Sequence, residues 1–433
     1  MKKSLIVISP FTTRSGYGVH SRAIIKSIID NPDIMAEYDV QLVSLKWGAT
    51  PQTALDRNNP DDMKLLSLLM PNNQMTYQPD VSIHITIPNE FQRIGKYSIG
   101  ITAGTEATDA PIEFLKGCNN VDLVLTPSTF TKDVLINTKY DKKNQQTQQV
   151  EDTVEVKVPV EVLFEGIDVS MFNKTYVPGE LSKYINETVS EDFCFLQVGH
   201  WLSGVIGEDR KDVGMVVKTF YDTFKNKKNR PGLIMKTGMA GFSITERDIV
   251  LDKIQQIQEI IRESGFGGKF PNIYVINGDL SDNQMAELYN HHKVKAMVSF
   301  HKGEGYGLPL LEFAATGKPI IASNYSGPLD FLSPEYNFLL PGQLTKIHGS
   351  AANEWLPKDS KWFTINYQYA SMMLSQCYEK YDSFLERSRK QSKIIRDNFS
   401  IEKMGIKLYE IMNKYISSVP KQITLNLPKL KKI

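Results

Sequence analysis

Short runs of apolar, β-branched residues recur along this chain, each followed by a longer stretch with helical spacing, and that alternation leaves few folds open. Runs at 5–9, 40–45, 81–86, 97–102, 121–126 and 160–164 form a first series. A second lies at 193–198, 232–236, 273–276, 296–300 and 319–322. Strands separated by helices pair in parallel through crossovers, so the pattern predicts an α/β fold with two sheets. Length agrees, since 433 residues at roughly 150 per domain permit two or three domains. Between the series, 168–192 holds Pro178, Gly179 and few apolar runs, as expected of an interdomain connection. The boundary is placed near 175, giving domains 1–175 and 176–395. The polar stretch 142–149, KKNQQTQQ, predicts a mobile loop before a strand. After Trp355 the pattern is helical. Met404, Leu408, Ile411 and Met412 line one face of a helix over 401–416, within a final segment 396–433 expected to cross back to the first domain. The basic tail 427–433 is expected to fray.

Charge narrows the function classes. Fifty Lys and Arg against 49 Asp and Glu leave a net +1, so no global field draws in nucleic acid or anionic membrane. An anionic ligand must be caught locally. Cys118, Cys194 and Cys377 are odd in number and lack Cys-x-x-Cys spacing, which argues against a disulfide framework or zinc site and for a reducing cytoplasm. The apolar run 5–8 is too short for a signal peptide or membrane span, so no integral membrane segment is predicted.

The chemistry concentrates at 301–319, HKGEGYGLPLLEFAATGKP. It follows a predicted strand, and Gly303, Gly305 and Gly307 open a helix with Pro309 in its first turn. Glycines admit close backbone approach to a ligand, and a helix start carries about half a positive charge, which suits a diphosphate. Glu304 and Glu312 sit near that mouth, where carboxylates can accept hydrogen bonds from sugar and ribose hydroxyls. The plain alternative is a glycine-rich turn with surface glutamates.

These residues resemble the Glu-x7-Glu motif of retaining GT-B glycosyltransferases, family 4 in particular, followed as there by a small-residue helix and Gly-Lys-Pro-Ile-Ile-Ala-Ser. Further tracts extend the resemblance over nearly the whole chain: FLQVGHW at 195–201, Arg210-Lys211, LIMK at 233–236, YVINGDLS at 274–281, SNYSGPLD at 323–330, SGYGVHSR at 15–22, DLVLTPSTFT at 122–131 and LFEGIDVSMF at 163–172. The resemblance implies GT-B architecture, two facing Rossmann-like domains with a cleft between them. It implies a nucleotide-diphosphate sugar, a UDP-sugar in the leading reading, as co-substrate, with no cofactor and no metal required. Glu312 would accept the ribose hydroxyls. The amides of Gly305, Tyr306, Gly307 and Leu308, with Lys211, Arg210 and Lys236, would hold the diphosphate. Gly278 and Leu280 would meet the base, Gly16 and Gly18 the donor phosphates, and Glu304 the transferred sugar. Cations are chemically apt here, because a departing nucleoside diphosphate gains negative charge in the transition state.

The chain departs from its relatives in two places. His200 stands where many carry arginine, with an insertion before Arg210, so the diphosphate loses a cation. The histidine often found beside the sugar is replaced by the stretch 100–109, GITAGTEATD, where Glu106 is the leading substitute and Asp109 the second. Helix capping is the alternative role for both.

Competing functions fit less well. A nicotinamide dehydrogenase needs Gly-x-Gly-x-x-Gly directly after its first strand, and 16–21 ends in Ser and comes too late. No Asp-x-Asp is present for a metal-bridged transferase, and the adjacent His291-His292 lack zinc-ligand spacing. A nucleotide-sugar epimerase and a catalytically silent sugar- or nucleic-acid-binding protein remain as alternatives. The acceptor is a hydroxyl of a glycan, lipid, small molecule or modified DNA. The tracts 82–91 and 100–111 look like those of phage-encoded members, which raises hydroxymethylated cytosine in DNA as one acceptor.

Overall fold

The computed structural model describes residues 2–416 except 49, 74, 145, 173–177, 203 and 240–242. The boundary expected near 175 and the tail 427–433 lie outside the described residues. The first series of apolar runs becomes β1 (Lys3–Ser9), β2 (Tyr38–Ser44), β3 (Val81–Ile85), β4 (Tyr97–Ile101) and β5 (Leu123–Thr126), then an antiparallel hairpin of β6 (Tyr140–Lys143) and β7 (Val150–Val154), and β8 (Val160–Val162). Six of these form one parallel sheet in the order β2-β1-β3-β4-β5-β8. The second series becomes β9 (Cys194–Val198), β10 (Gly232–Lys236), β11 (Ile273–Ile276), β12 (Val294–Ser299), β13 (Ile320–Ser323) and β14 (Phe338–Leu340), parallel in the order β11-β10-β9-β12-β13-β14. Helices cover both faces of such sheets, so the strands read as continuous rather than alternating apolar runs. Every residue of β3 and β5 is buried.

In each sheet the winding reverses once, between β1 and β3 and between β9 and β12. Loops leaving the strands on either side of such a reversal diverge, and the gap between them is where open α/β sheets bind ligands. The helix Ile401–Ile416 buries Met404, Leu408, Ile411 and Met412 in the first sheet's core beside Ile24, Ile28 and Leu163. Its Gly405 lies so close to the first helix, Gly16–Ile29, that an added Cβ would stand 2.5 Å from the Ser27 carbonyl oxygen.

The structure adds to three sequence expectations. The stretch 142–149 does lead into a strand, β7, but Lys142 and Lys143 already pair with it as the end of β6, because an exposed antiparallel pair needs no buried face. The connection 168–192 contains a helix, Glu180–Thr188, that buries Ser182 and Ile185. The region after Trp355 is not wholly helical. A strand β16 (Lys361–Ile365) pairs antiparallel with β15 (Gly342–Lys346) before the helices Tyr367–Glu379 and Tyr381–Asn398 begin. Five residues are too few for periodicity to separate strand from helix, and the distant partner strand decides it.

Candidate active site

Arg210 and Lys211 lie on the loop after β9, and Glu304 lies on the loop after β12. Those strands are neighbours at the winding reversal, so residues 93 positions apart meet. Lys211 Nζ donates to Glu304 Oε1. Arg210 Nη1 lies 3.6 Å from Glu304 Oε2 and 3.1 Å from Glu106 Oε1. Glu106 comes from the loop after β4, so this network joins the two sheets' domains across the cleft. Burial opposes charge on Glu304, yet Lys211 and Arg210 outweigh it and hold its carboxyl below the usual range. Burial likewise lowers the Lys211 ammonium, against the pull of Glu304.

The loop carrying these cations is fixed from beneath. The amide of Lys302 donates to the Arg210 carbonyl at 2.9 Å. Lys302 is itself only 1% exposed, with Nζ 3.0 Å from Thr364 Oγ1 and 3.7 Å from Asp212 Oδ2. Tyr367 donates its hydroxyl to the same Asp212 oxygen at 2.5 Å. A buried, hydrogen-bonded ion pair of this kind fixes geometry more than it adds stability.

The glycine loop departs from expectation. An added Cβ on Gly303 would stand 1.7 Å from the Glu106 carbonyl oxygen, and one on Gly305 would stand 2.1 Å from that of Ala103. The close approach they permit is therefore to the opposing domain's backbone as well as toward the cleft. Gly305 also accepts hydrogen bonds at its carbonyl from Ser128 Oγ at 2.5 Å and Thr131 Oγ1 at 3.3 Å. The Thr129 amide donates to Asp330 Oδ2 at 2.7 Å. Gly307, at φ +96°, caps the helix Leu308–Ala315 and its carbonyl accepts from the Leu310 and Leu311 amides at 2.9 and 3.3 Å; with Pro309 lacking an N–H, the Leu308 amide is what the first helical turn leaves for a ligand. The Tyr306 side chain is buried beside Phe331, so only its backbone faces the role expected of it.

The remaining expected residues divide. His200, Lys236 and Gly278 follow or end β9, β10 and β11 on the same edge as Arg210. Leu280 packs into the apolar core beneath that edge. Desolvation, then the charges of Lys236, Lys211 and Arg210, lower the His200 imidazole. Gly16 and Gly18, expected at the donor phosphates, form the first turn of the helix Gly16–Ile29, which Ser15 caps by accepting from the Gly18 amide at 3.0 Å. Gly18 is required by the Thr13 carbonyl oxygen, 2.2 Å from an added Cβ, whereas Gly16 has open space around it. Neither Glu106 nor Asp109 caps the next helix, Ile112–Cys118, whose cap is Pro111. Glu106 reaches the cleft, and Asp109 accepts locally from Thr108 Oγ1 at 2.7 Å.

Glu312 is half-buried on its helix and accepts from the Tyr289 hydroxyl at 3.0 Å. Burial pushes its carboxyl up to about 8, against that hydrogen bond. Glu304 and Glu312 thus differ in charge at neutral pH, one ionised by cations and the other kept neutral by its surroundings. The cavity beside Glu312 is also lined by Leu308, His20 and Glu165. In the sequence Glu165 and His20 lie inside the tracts 163–172 and 15–22, and no spacing signal marks either one.

Burial, then the charges of Glu312 and Glu304, raise Glu165 from an ordinary 4.5 to about 8. The folded state therefore holds this proton where the unfolded chain releases it, and Glu165 destabilises the fold as pH climbs from 4.5 toward 8. Glu165→Gln is expected to gain stability over the parent by about 1 kcal/mol per pH unit across that window. Urea midpoints of both proteins at pH 5, 6.5 and 8 check it, and parallel pH curves would contradict it.

Two parallel Rossmann-like α/β domains facing each other across such a crevice are the GT-B architecture of glycosyltransferases. Residues 271–351, which include Glu304 and Glu312, match the family model described as Glycosyl transferases group 1. Among solved structures the chain is similar to a glycosyltransferase from Rickettsia africae, with 15% identity, TM-score 0.62, and coverage of 96% of this chain and 100% of that one. It is also similar to sucrose-phosphate synthase from Thermosynechococcus elongatus, with 11% identity, TM-score 0.60, and coverage of 96% and 100%. A third is Alr3699/HepE from Anabaena, solved with UDP and glucose, with 12% identity, TM-score 0.54, and coverage of 95% and 100%. No curated protein matches the chain significantly. No helix among the described residues is long and apolar enough to cross a membrane.

Proposed function

We propose that this chain transfers a sugar from a nucleotide-diphosphate sugar, a UDP-sugar first of all, to an acceptor hydroxyl with retention of anomeric configuration. One observation carries the reading: Arg210, Lys211 and Glu304 converge at the winding reversal of the second sheet, facing Glu106 from the first. Cations there, with Lys236, offset the charge gained by a leaving nucleoside diphosphate, and they do so without a divalent ion. Lys211 exchanges Glu304 for a phosphate oxygen when the donor arrives, which frees Glu304 for the sugar hydroxyls. The backbone amides of Gly305 to Leu308, at the start of the helix Leu308–Ala315, complete the diphosphate site. Glu106 stabilises positive charge developing on the sugar. Contacts of Gly303 and Gly305 with the opposing domain close the site against water. The HepE structures with UDP support uridine as the first base to try. Buried thiols at Cys118, Cys194 and Cys377 suit a reducing cytoplasm.

The test offers UDP-, GDP- and ADP-sugars with oligosaccharide, lipid, small-molecule and hydroxymethylcytosine-DNA acceptors, and reads products by mass spectrometry. Transfer is shown by an acceptor heavier by one glycosyl unit together with stoichiometric nucleoside diphosphate. A sugar isomerised on its nucleotide would instead mark an epimerase, and donor binding without turnover a silent binder.

A further inference from the structure

We propose that Glu165 and His20 join Glu312 as the subsite for the donor's ribose, an inference that rests on the nucleotide-sugar reading above. The cavity lies between the helix Gly16–Ile29, the segment beginning at Glu165, and the start of the helix Leu308–Ala315. His20 is 1% exposed, and neither ring nitrogen has a hydrogen-bond partner. Its Nδ1 stands 3.4 Å from Glu165 Oε1, itself on a residue only 6% exposed. A buried polar group without a partner costs stability, so its persistence in a cavity wall asks for a ligand that supplies one.

The chemistry selects the ligand. Burial holds the His20 imidazole neutral, lowering it to about 4, and keeps Glu165 protonated, so this facing pair offers donors and acceptors without net charge. A vicinal diol needs that combination, because each hydroxyl both donates and accepts. A phosphate would need free cations, and of the two that line the cavity Arg22 is committed to the carbonyls of Phe11 and Thr13 at 3.0 and 2.9 Å, while Lys26 shares the lining with the carboxylates of Asp168 and Asp282, which repel an anion. Glu312 reaches the same cavity from the second domain, so a ribose there bridges the two halves and couples donor binding to closure.

Calorimetric titration of the full chain with UDP and with 2′,3′-dideoxy-UDP tests the assignment. The parent protein is expected to prefer UDP by about a hundredfold, and Glu165→Leu by about tenfold, at roughly a factor of ten per hydrogen bond lost. Glu165→Gln, which keeps a donor and an acceptor, is expected to restore the parent preference. His20→Leu carries the same expectation as Glu165→Leu, so the test stands if one variant does not fold. Dideoxy-UDP affinity reports an intact site in each variant. An unchanged preference in both leucine variants overturns the proposal. A loss seen with UDP-glucose but not with UDP overturns it too, since the diol contacted would belong to the transferred sugar. If none of UDP, ADP and GDP binds the parent chain, the donor reading of the preceding subsection falls and this inference with it.

Discussion

Glu304→Gln is expected to lower kcat/KM for sugar transfer about a thousandfold while UDP binding holds or tightens, at the upper end of what one charge-stabilising group contributes. The substitution keeps the side chain's size and removes its charge. Glu304 is 8% exposed and pairs with Lys211 and, more distantly, Arg210, so its charge competes with a diphosphate for the same cations. Deleting that competitor favours the nucleotide and removes the group that meets the sugar. Lys211→Ala has the opposite signature, since it removes a phosphate contact and is expected to weaken UDP binding and transfer together. Because the two side chains are directly bonded, the double variant should cost far less than the product of the singles. Steady-state kinetics beside calorimetric UDP affinity separates these outcomes, and unimpaired turnover in Glu304→Gln would remove Glu304 from the mechanism.

Gly303→Ala is expected to reduce transfer by a hundredfold or more without unfolding either domain. Its new methyl would stand 1.7 Å from a backbone oxygen of Glu106, an atom that cannot swing away as a side-chain tip would. The loops must separate, and Arg210 then loses its reach to Glu106. Displacement of reacting groups by about an ångström is enough for losses of this size. Small-angle scattering should show a larger radius of gyration than the parent. Gly349→Ala, at a glycine with open space around it, serves as the control and should match the parent in both measurements. A compact, active Gly303→Ala would mean that the contact between the two halves is not needed for turnover.

Part of this was legible in the residues. Apolar runs alternating with helical stretches announced two parallel sheets, because strands covered on both faces leave no polar side to obscure the pattern. Gly307 and Pro309 marked a helix that starts where the structure places it, since those residue types act through local backbone geometry. The strand β6, with its pairing to β7, and the strand β16 were not legible because their identity rests on a pairing partner rather than on their own composition.

The candidate site divides along the same line. Glu304, Glu312, Arg210 and Lys211 stood out because their types and surroundings carry chemistry within a short window. The ion network, the neutral state of Glu312 and the role of Gly303 did not, since each depends on atoms distant in the chain, such as Glu106 for Arg210 and Tyr289 for Glu312. His20 and Glu165, 145 positions apart, become neighbours only through packing of the first helix on the segment after β8. Sequence alone thus determined the parallel strands, the helices between them and which residue types cluster near the glycine-rich helix start, because those follow from local backbone preference and hydrophobic periodicity. Which charges face one another, and which are silenced by burial, was decided only by the tertiary structure, because Coulomb attraction and desolvation depend on distance in space and not on separation along the chain.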